Sequence, residues 1–187
     1  MNDYNLKFMI KACKSSYNST CYKRNIGAIL VKDNTILSYG YNGAKPCYIH
    51  CKGDSELSLN YCYWKKKAYD RSKQIGLDIS TTEYVVLKRE FRALCLSSCA
   101  ERLAIRNAIN SNKDVKNSIL YCTTFPCTSC AKAIRDYGIS KVYYINEFYE
   151  ELPTCVEAKR ILDECNIIQV QVECPKEYVL QGKRTTY

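Results

Sequence analysis

Leu6, Met9, Ile10, Cys13 and Tyr17 recur at the spacing of one helix face, with Asp3 ahead of them where an N-cap belongs, so the chain is expected to open with an amphipathic helix. Two short β-prone runs follow, Ile26 to Val31 and Thr35 to Tyr39. The residues between them, Lys32-Asp33-Asn34, have the turn chemistry of a hairpin. Helical spacing returns with Ala100, Leu103, Ala104, Ala108 and Ile109, and the apolar run Ile119 to Cys122 then predicts a strand. Thr128 to Tyr137 reads as a helix closed by Gly138, Val142 to Ile145 as a strand, Thr154 to Cys165 as a helix, and Ile167 to Val172 as a strand. Thr154 and Glu157 have the spacing of a capping box.

Strands that alternate with single helices call for right-handed crossovers and a mostly parallel sheet, to which the hairpin adds an antiparallel portion. The expected architecture is an α/β fold, a three-layer α/β/α domain around a five-stranded mixed sheet, with residues 1–187 as one domain. From Gly40 to about Arg92 the pattern breaks into glycines, a proline, Lys65-Lys66-Lys67, clustered tyrosines and cysteines, without a long clean period. Residues 44–94 are therefore expected to be an insertion, and structureless loops of that length are uncommon, so something should staple it. After Cys174-Pro175 the basic tail Gly182-Lys183-Arg184 reads as a frayed end.

Composition narrows the setting. Of 187 residues, 47% are apolar and 25% charged, which excludes a collagenous, low-complexity or wholly disordered chain. No apolar run reaches the roughly 18 residues of a membrane span, and Met1-Asn2-Asp3-Tyr4-Asn5-Leu6-Lys7 lacks the basic-then-apolar order of a signal peptide. The expectation is a soluble, cytoplasmic protein without a membrane partner. Lys and Arg outnumber Asp and Glu by 28 to 19, a net charge of +9. That excess points to an anionic partner such as a nucleotide or a nucleic acid, without choosing between them. The 13 cysteines are odd in number and follow no visible leader, so they are expected to be reduced, and the useful question is which stand at metal-ligand spacing.

Pro126-Cys127-Thr128-Ser129-Cys130 places two thiols at a strand-to-helix junction, where a helix N-terminus favours thiolate. Cys99-Ala100-Glu101 offers a third thiol at another helix start, with a carboxylate two residues on. Three thiolates would leave the fourth tetrahedral position of zinc open, as in catalytic sites, and a glutamate that is not a ligand can carry protons there. Each piece also has a plain reading. Cys127 and Cys130 can be an inert or redox pair, and Ser98 to Glu101 matches a capping box. Cys13, Cys122, Cys155, Cys165 and Cys174 read as small core hydrophobes. Lys65-Lys66-Lys67 reads as a solvated face, with Tyr61, Tyr63, Trp64 and Tyr69 as insertion core rather than stacking platforms.

Together, Cys99-Ala100-Glu101 and Pro126-Cys127-Thr128-Ser129-Cys130 resemble the zinc-dependent cytidine and deoxycytidylate deaminase superfamily. The flanks Arg24-Asn25-Ile26-Gly27-Ala28-Ile29-Leu30-Val31, Gly40-Tyr41-Asn42-Gly43 and Cys127 to Ile134 are similar to deoxycytidylate (dCMP) deaminases, a likeness that runs from Tyr17 to about Val172. The resemblance implies hydrolytic conversion of dCMP to dUMP with release of ammonia. Zinc on Cys99, Cys127 and Cys130 would activate the attacking water, Glu101 would move protons to N3 and to the leaving amine, and helix N-terminal amides, that of Ala100 among them, would steady charge on the ring. It further implies that Asn42 contacts the deoxyribose, although Tyr-Asn-Gly is also good turn chemistry. Arg24 is the candidate for the substrate phosphate. Related enzymes are commonly hexamers regulated by dCTP and dTTP, so a homo-oligomer is expected.

Cys99 is a departure, since deoxycytidylate deaminases usually have His there, whereas Cys99-Ala100-Glu101-Arg102 reads like the nucleoside cytidine deaminases. In those, the arginine donates to zinc-bound thiolates, which gives Arg102 the role of offsetting the charge of a third thiolate. The insertion holds Cys47, His50, Cys51 and Cys62, with Cys95 four residues before Cys99. By resemblance, His50, Cys51, Cys62 and Cys95 would bind a second, structural zinc, with Cys47 as a substitute for Cys51; the plain alternative is a surface histidine and free thiols. Three other functions stand beside dCMP deamination: a nucleoside deaminase, a deaminase of cytosine or adenine within nucleic acid, and a non-catalytic zinc protein that binds nucleotide.

Overall fold

The computed structural model describes residues 3–21, 24–43, 63–146 and 153–173. Helix α1 (Asp3–Ser15) and a 3₁₀ turn (Ser16–Asn18) lead into β1 (Gly27–Lys32) and β2 (Thr35–Tyr41). After α2 (Tyr63–Gln74) and α3 (Thr82–Ala93) come α4 (Ala100–Asn110), β3 (Ile119–Thr124), α5 (Thr128–Asp136), β4 (Lys141–Asn146), α6 (Pro153–Glu164) and β5 (Ile168–Gln171). These elements divide into two compact units, one with α1, β1, β2 and everything from α4 to β5, the other with α2 and α3.

In the first unit the strands run in the order β2-β1-β3-β4-β5, with β1 antiparallel to β2 and β3, and with β3, β4 and β5 parallel. The sheet is mixed as expected but not mostly parallel, because β1 lies between β2 and β3, the two strands that α4 joins. Asp33 and Asn34 close the hairpin with φ of 49° and 57°, the left-handed pair that a type I′ turn needs. Alternation along the strands sends Ala28, Leu30, Leu120, Cys122, Val142 and Tyr144 toward α4, α5 and α6. Ile29, Val31, Tyr121 and Tyr143 face the opposite way, where Phe8, Met9, Ala12 and Cys13 of α1 cover them. Both faces are buried, which makes Gly27 to Lys32 an almost continuous apolar run rather than an alternating one.

Two glycines set how closely the helices approach. A Cβ on Gly27 would overlap the backbone of Ala12 and Ser16 in α1 and its continuation, and one on Gly40 would overlap the carbonyl oxygen of Ala100 and the nitrogen of Ala104 in α4. Ser38 Oγ donates to Ala104 O (2.6 Å) and Asn107 Nδ2 to Tyr39 O (2.9 Å), so side chains tie α4 to β2 along the same line. In β1, Ala28 pairs with Gly40 of β2 on one side and Cys122 of β3 on the other. This row of small residues is the floor on which the start of α4 rests.

Some local expectations need correction. Helix α1 begins at Asp3 itself, so Asp3 stands in the first turn rather than ahead of it. Helix α6 begins at Pro153, whose fixed φ suits a first helical position. Thr154 is therefore already inside the helix, and Glu157 pairs with Arg160 instead of closing a capping box. Cys13 and Cys122 are buried as small core residues, but Cys155 is only half-buried and Cys165 is exposed; Cys174 lies outside the described residues. In the second unit, the aperiodic stretch contains two twelve-residue helices. In α2 the buried positions are Ala68 and Ser72, too small and polar to register as a stripe. Lys66 and Lys67 are exposed, as expected of a solvated face; Lys66 also pairs with Asp70, and Lys67 lies 5.4 Å from the centre of the Tyr63 ring. Tyr63, Trp64 and Tyr69 are half-buried rather than core; Tyr61 lies outside the described residues.

Candidate metal centre

Strand β3 ends at Thr124, and the fully buried Pro126 fixes the approach to α5. Cys127 then occupies the N-cap of α5 in an extended conformation, φ −77° and ψ 168°, without a side-chain capping bond. Cys99 does the same at α4, with φ −72° and ψ 148°. An N-cap residue normally turns a side-chain oxygen onto its own helix; here two thiols stand at that place, and Cys130 reaches them from the first turn of α5. The three sulfur atoms lie within 4.8 Å of one another, with Cys127 and Cys130 at 3.5 Å. Zinc with tetrahedral Zn–S bonds of ~2.3 Å requires sulfurs about 3.8 Å apart, so the set fits that ion.

The charge balance agrees. Hydrogen bonds from the Cys130 and Cys99 thiols, then backbone N–H groups of Cys130 and Ser129, pull Cys127 far below the ordinary thiol range. The same bonds act in reverse on its donors. The hydrogen bond to Cys127 is the largest cause that pushes Cys99 up to about 12, and Cys130 is raised well above its usual value. Charge on one of the three thiols disfavours charge on the other two, a penalty that a cation among them would remove.

Glu101 is the second residue of α4 and is buried, 4% exposed. Desolvation raises its carboxyl to about 7, with the Cys127 charge adding to the rise, while its own backbone N–H and a hydrogen bond with Cys130 oppose it. The capping-box reading is excluded: Cys99, not Ser98, is the N-cap, and Glu101 stands one position too early to close the box. Arg102 Nη2 lies 4.0 Å from Cys99 Sγ. Partial burial works against its charge, but the charges of Cys99, Cys130 and Cys127 outweigh it, so the guanidinium is held more firmly protonated. Ala100, fully buried, places its carbonyl against Gly40. Cys122 donates to Tyr143 O (3.5 Å); burial raises its thiol and the Glu101 charge adds to this, so it belongs to the same electrostatic neighbourhood.

Asn42 follows β2 and is buried at 8% exposure. Its N–H donates to Ile26 O (3.0 Å), and its Oδ1 accepts from Ile26 N (2.8 Å) and from Ser19 Oγ (2.7 Å). Sequence reasoning missed Ser19, for a lone serine between a helix and a strand carries no local signal. Cys99, Cys127, Cys130, Glu101 and Arg102 are thus brought together, whereas Arg24 and Cys95 belong to the second unit. Cys47, His50, Cys51 and Cys62 lie outside the described residues.

Comparison with known proteins bears on this geometry. Residues 2–146 match the family described as the cytidine and deoxycytidylate deaminase zinc-binding region. The chain is 30% identical to a probable deoxycytidylate deaminase of Drosophila melanogaster over 86% of its own length and 68% of that protein. A deoxycytidylate deaminase of Schizosaccharomyces pombe is 29% identical over 73% of the chain, which spans only about a third of that relative, 35%. Among solved structures, a dCMP deaminase from the cyanophage S-TIM5, in complex with dCMP and dUMP, shares the fold with a TM-score of 0.63 and 22% identity, covering 92% of this chain and 98% of that one. No helix of the described residues is long and apolar enough to cross a membrane. With three thiols set for zinc beside a buried glutamate, and with the zinc-binding region matched over most of its length, the chain belongs to the cytidine and deoxycytidylate deaminase family.

Proposed function

We propose that this protein is a zinc-dependent hydrolase that converts dCMP to dUMP and releases ammonia. The observation that carries the proposal is the buried carboxyl of Glu101 beside three thiols that can hold zinc while leaving one position open. Cys99, Cys127 and Cys130 would hold the ion, and zinc there supplies activation of water as a nucleophile. Glu101 takes a proton from the attacking water and delivers it to N3, then passes the second to the exocyclic amine as the C4–N bond breaks and the C4–O bond remains. The Ala100 amide, at the first position of α4, is assigned to steady negative charge on the ring. Arg102 offsets the third thiolate. Several relatives carry the name deoxycytidylate deaminase, which favours the monophosphate.

Arg24 is assigned to the phosphate, Asn42 to the deoxyribose, and His50, Cys51 or Cys47, Cys62 and Cys95 to a second zinc that staples residues 44–94. These assignments rest on the resemblance of their motifs, as do homo-oligomerisation and a cytoplasmic setting, the latter fitting thiols that must stay reduced to bind metal. One observation favours a second reading: Cys99 stands where deoxycytidylate deaminases usually have His, as in nucleoside deaminases. Purified protein mixed separately with dCMP, deoxycytidine, dCTP and a cytosine-containing oligonucleotide, with deamination followed by absorbance, separates the readings. Turnover confined to dCMP supports the proposal, and preference for deoxycytidine or the oligonucleotide overturns it.

A further inference from the structure

A nucleotide monophosphate carries at most about two negative charges, far fewer than the net +9 of the chain can meet. Part of the excess is concentrated near the start. No Asp or Glu stands between Asp3 and Asp33, whereas Lys7, Lys11, Lys14, Lys23, Arg24 and Lys32 all do. Three of these lysines belong to α1, at the i, i+4 and i+7 spacing that lines side chains up along one helix face. Of residues 4–18, the exposed ones are Tyr4, Lys7, Lys14, Tyr17 and Asn18, and Lys11 is half-buried among them. Tyr4 is 57% exposed and Tyr17 46%, so a ring stands at each end of the row of ammonium groups. Lys7 and Lys11 enter no ion pair among the described residues.

The row lies over the opposite side of the sheet from the metal centre. Phe8, Met9, Ala12 and Cys13 turn the apolar face of α1 onto Ile29, Val31, Tyr121 and Tyr143, whereas α4 and α5 pack against the other face. One more cation extends the row. Lys141 Nζ is 5.7 Å from the centre of the Tyr143 ring, whose hydroxyl accepts from Asn5 Nδ2 of α1 (3.2 Å).

A row of ammonium groups attracts an anionic partner. A second copy docked through the same face would set lysine against lysine. A membrane surface needs apolar side chains to insert, and α1 has committed its own to the sheet. Tyrosine rings at both ends of a cationic row instead match a strand of nucleic acid, whose phosphates meet the lysines while its unpaired bases stack on the rings. We infer that the outer face of α1, with Tyr4, Lys7, Lys11, Lys14 and Tyr17, binds single-stranded nucleic acid. The inference goes beyond the dCMP reading and does not depend on it.

Binding of a fluorescent oligothymidylate, followed by anisotropy across a range of salt concentrations, provides the test, since that strand has no cytosine to deaminate. With three or four lysines engaged, the slope of log affinity against log salt is expected to be about −2 to −3. The Lys7→Gln, Lys11→Gln, Lys14→Gln triple variant, its fold checked by thermal midpoint, is expected to lose at least about tenfold in affinity at low salt and to flatten that slope by about 2. Tyr4→Ala with Tyr17→Ala is expected to weaken the strand about fivefold or more and to leave binding of a duplex of the same length nearly unaffected. Replacing Lys65, Lys66 and Lys67 of α2 by Gln removes the same charge elsewhere and is expected to stay within about twofold of the parent. An equal loss in that control, absence of binding at low salt, tighter binding to the duplex than to the strand, or capture by vesicles of anionic phospholipid but not by the oligonucleotide would overturn the assignment.

Discussion

Gly40 lies directly against the backbone carbonyl of Ala100, so the strand that leads to Asn42 and the helix that carries Glu101 meet without a side chain between them. Any Cβ at position 40 must push α4 away, and both Cys99 and Glu101 move with that helix. Gly40→Ala is expected to cost roughly 3 kcal/mol, at the upper end for overpacking a core because the clash is with backbone. A fall in the thermal midpoint together with loss of bound zinc checks it.

Arg102→Gln should retain the metal, because the guanidinium is not a ligand and sits 4.0 Å from Cys99 Sγ. Without it the third thiolate is uncompensated, and kcat on dCMP is expected to fall about tenfold, the lower end for loss of a residue that supports metal ligands. Cys99→His in the same chain removes that charge, so the Cys99→His, Arg102→Gln double variant should recover much of the loss. A double variant slower than Arg102→Gln alone counts against the compensation argument.

Arg24 separates the nucleotide from the nucleoside. Arg24→Ala should raise KM for dCMP by at least about tenfold, as a charge-assisted bond to phosphate would. The same variant should leave deoxycytidine nearly unaffected. Parallel kinetics on the two substrates check it, and equal effects remove Arg24 from the phosphate site.

Metal stoichiometry tests the staple. Two zinc ions per chain are expected in the parent and one in Cys95→Ser, which leaves Cys99, Cys127 and Cys130 intact. Limited proteolysis should then cut within 44–94 before the sheet is affected. A parent with one zinc per chain rules out the second site.

How much of this was legible in the sequence depended on whether the signal was local. Cys127 and Cys130 share one turn, and Cys99 and Glu101 share another, so each half of the centre could be read from a few residues. The hairpin at Asp33 and Asn34 and the strands from Ile119 to Val172 were legible for the same reason. The direction of β1 between β2 and β3 was not, since no residue in β1 records which neighbours it takes. Helix α2 escaped because it buries Ala68 and Ser72 rather than a run of leucines. The bond from Ser19 to Asn42 joins residues far apart in the chain, and neither residue type announces it.

The most direct test of the account is a comparison of the parent with Glu101→Gln on dCMP, with zinc measured on both. The amide preserves shape and leaves the three cysteines in place but cannot carry a proton. Turnover is expected to fall by roughly 10²- to 10⁴-fold while zinc content and fold stay those of the parent. Normal turnover in the zinc-loaded variant would contradict the account and reduce Glu101 to a buried structural residue of α4.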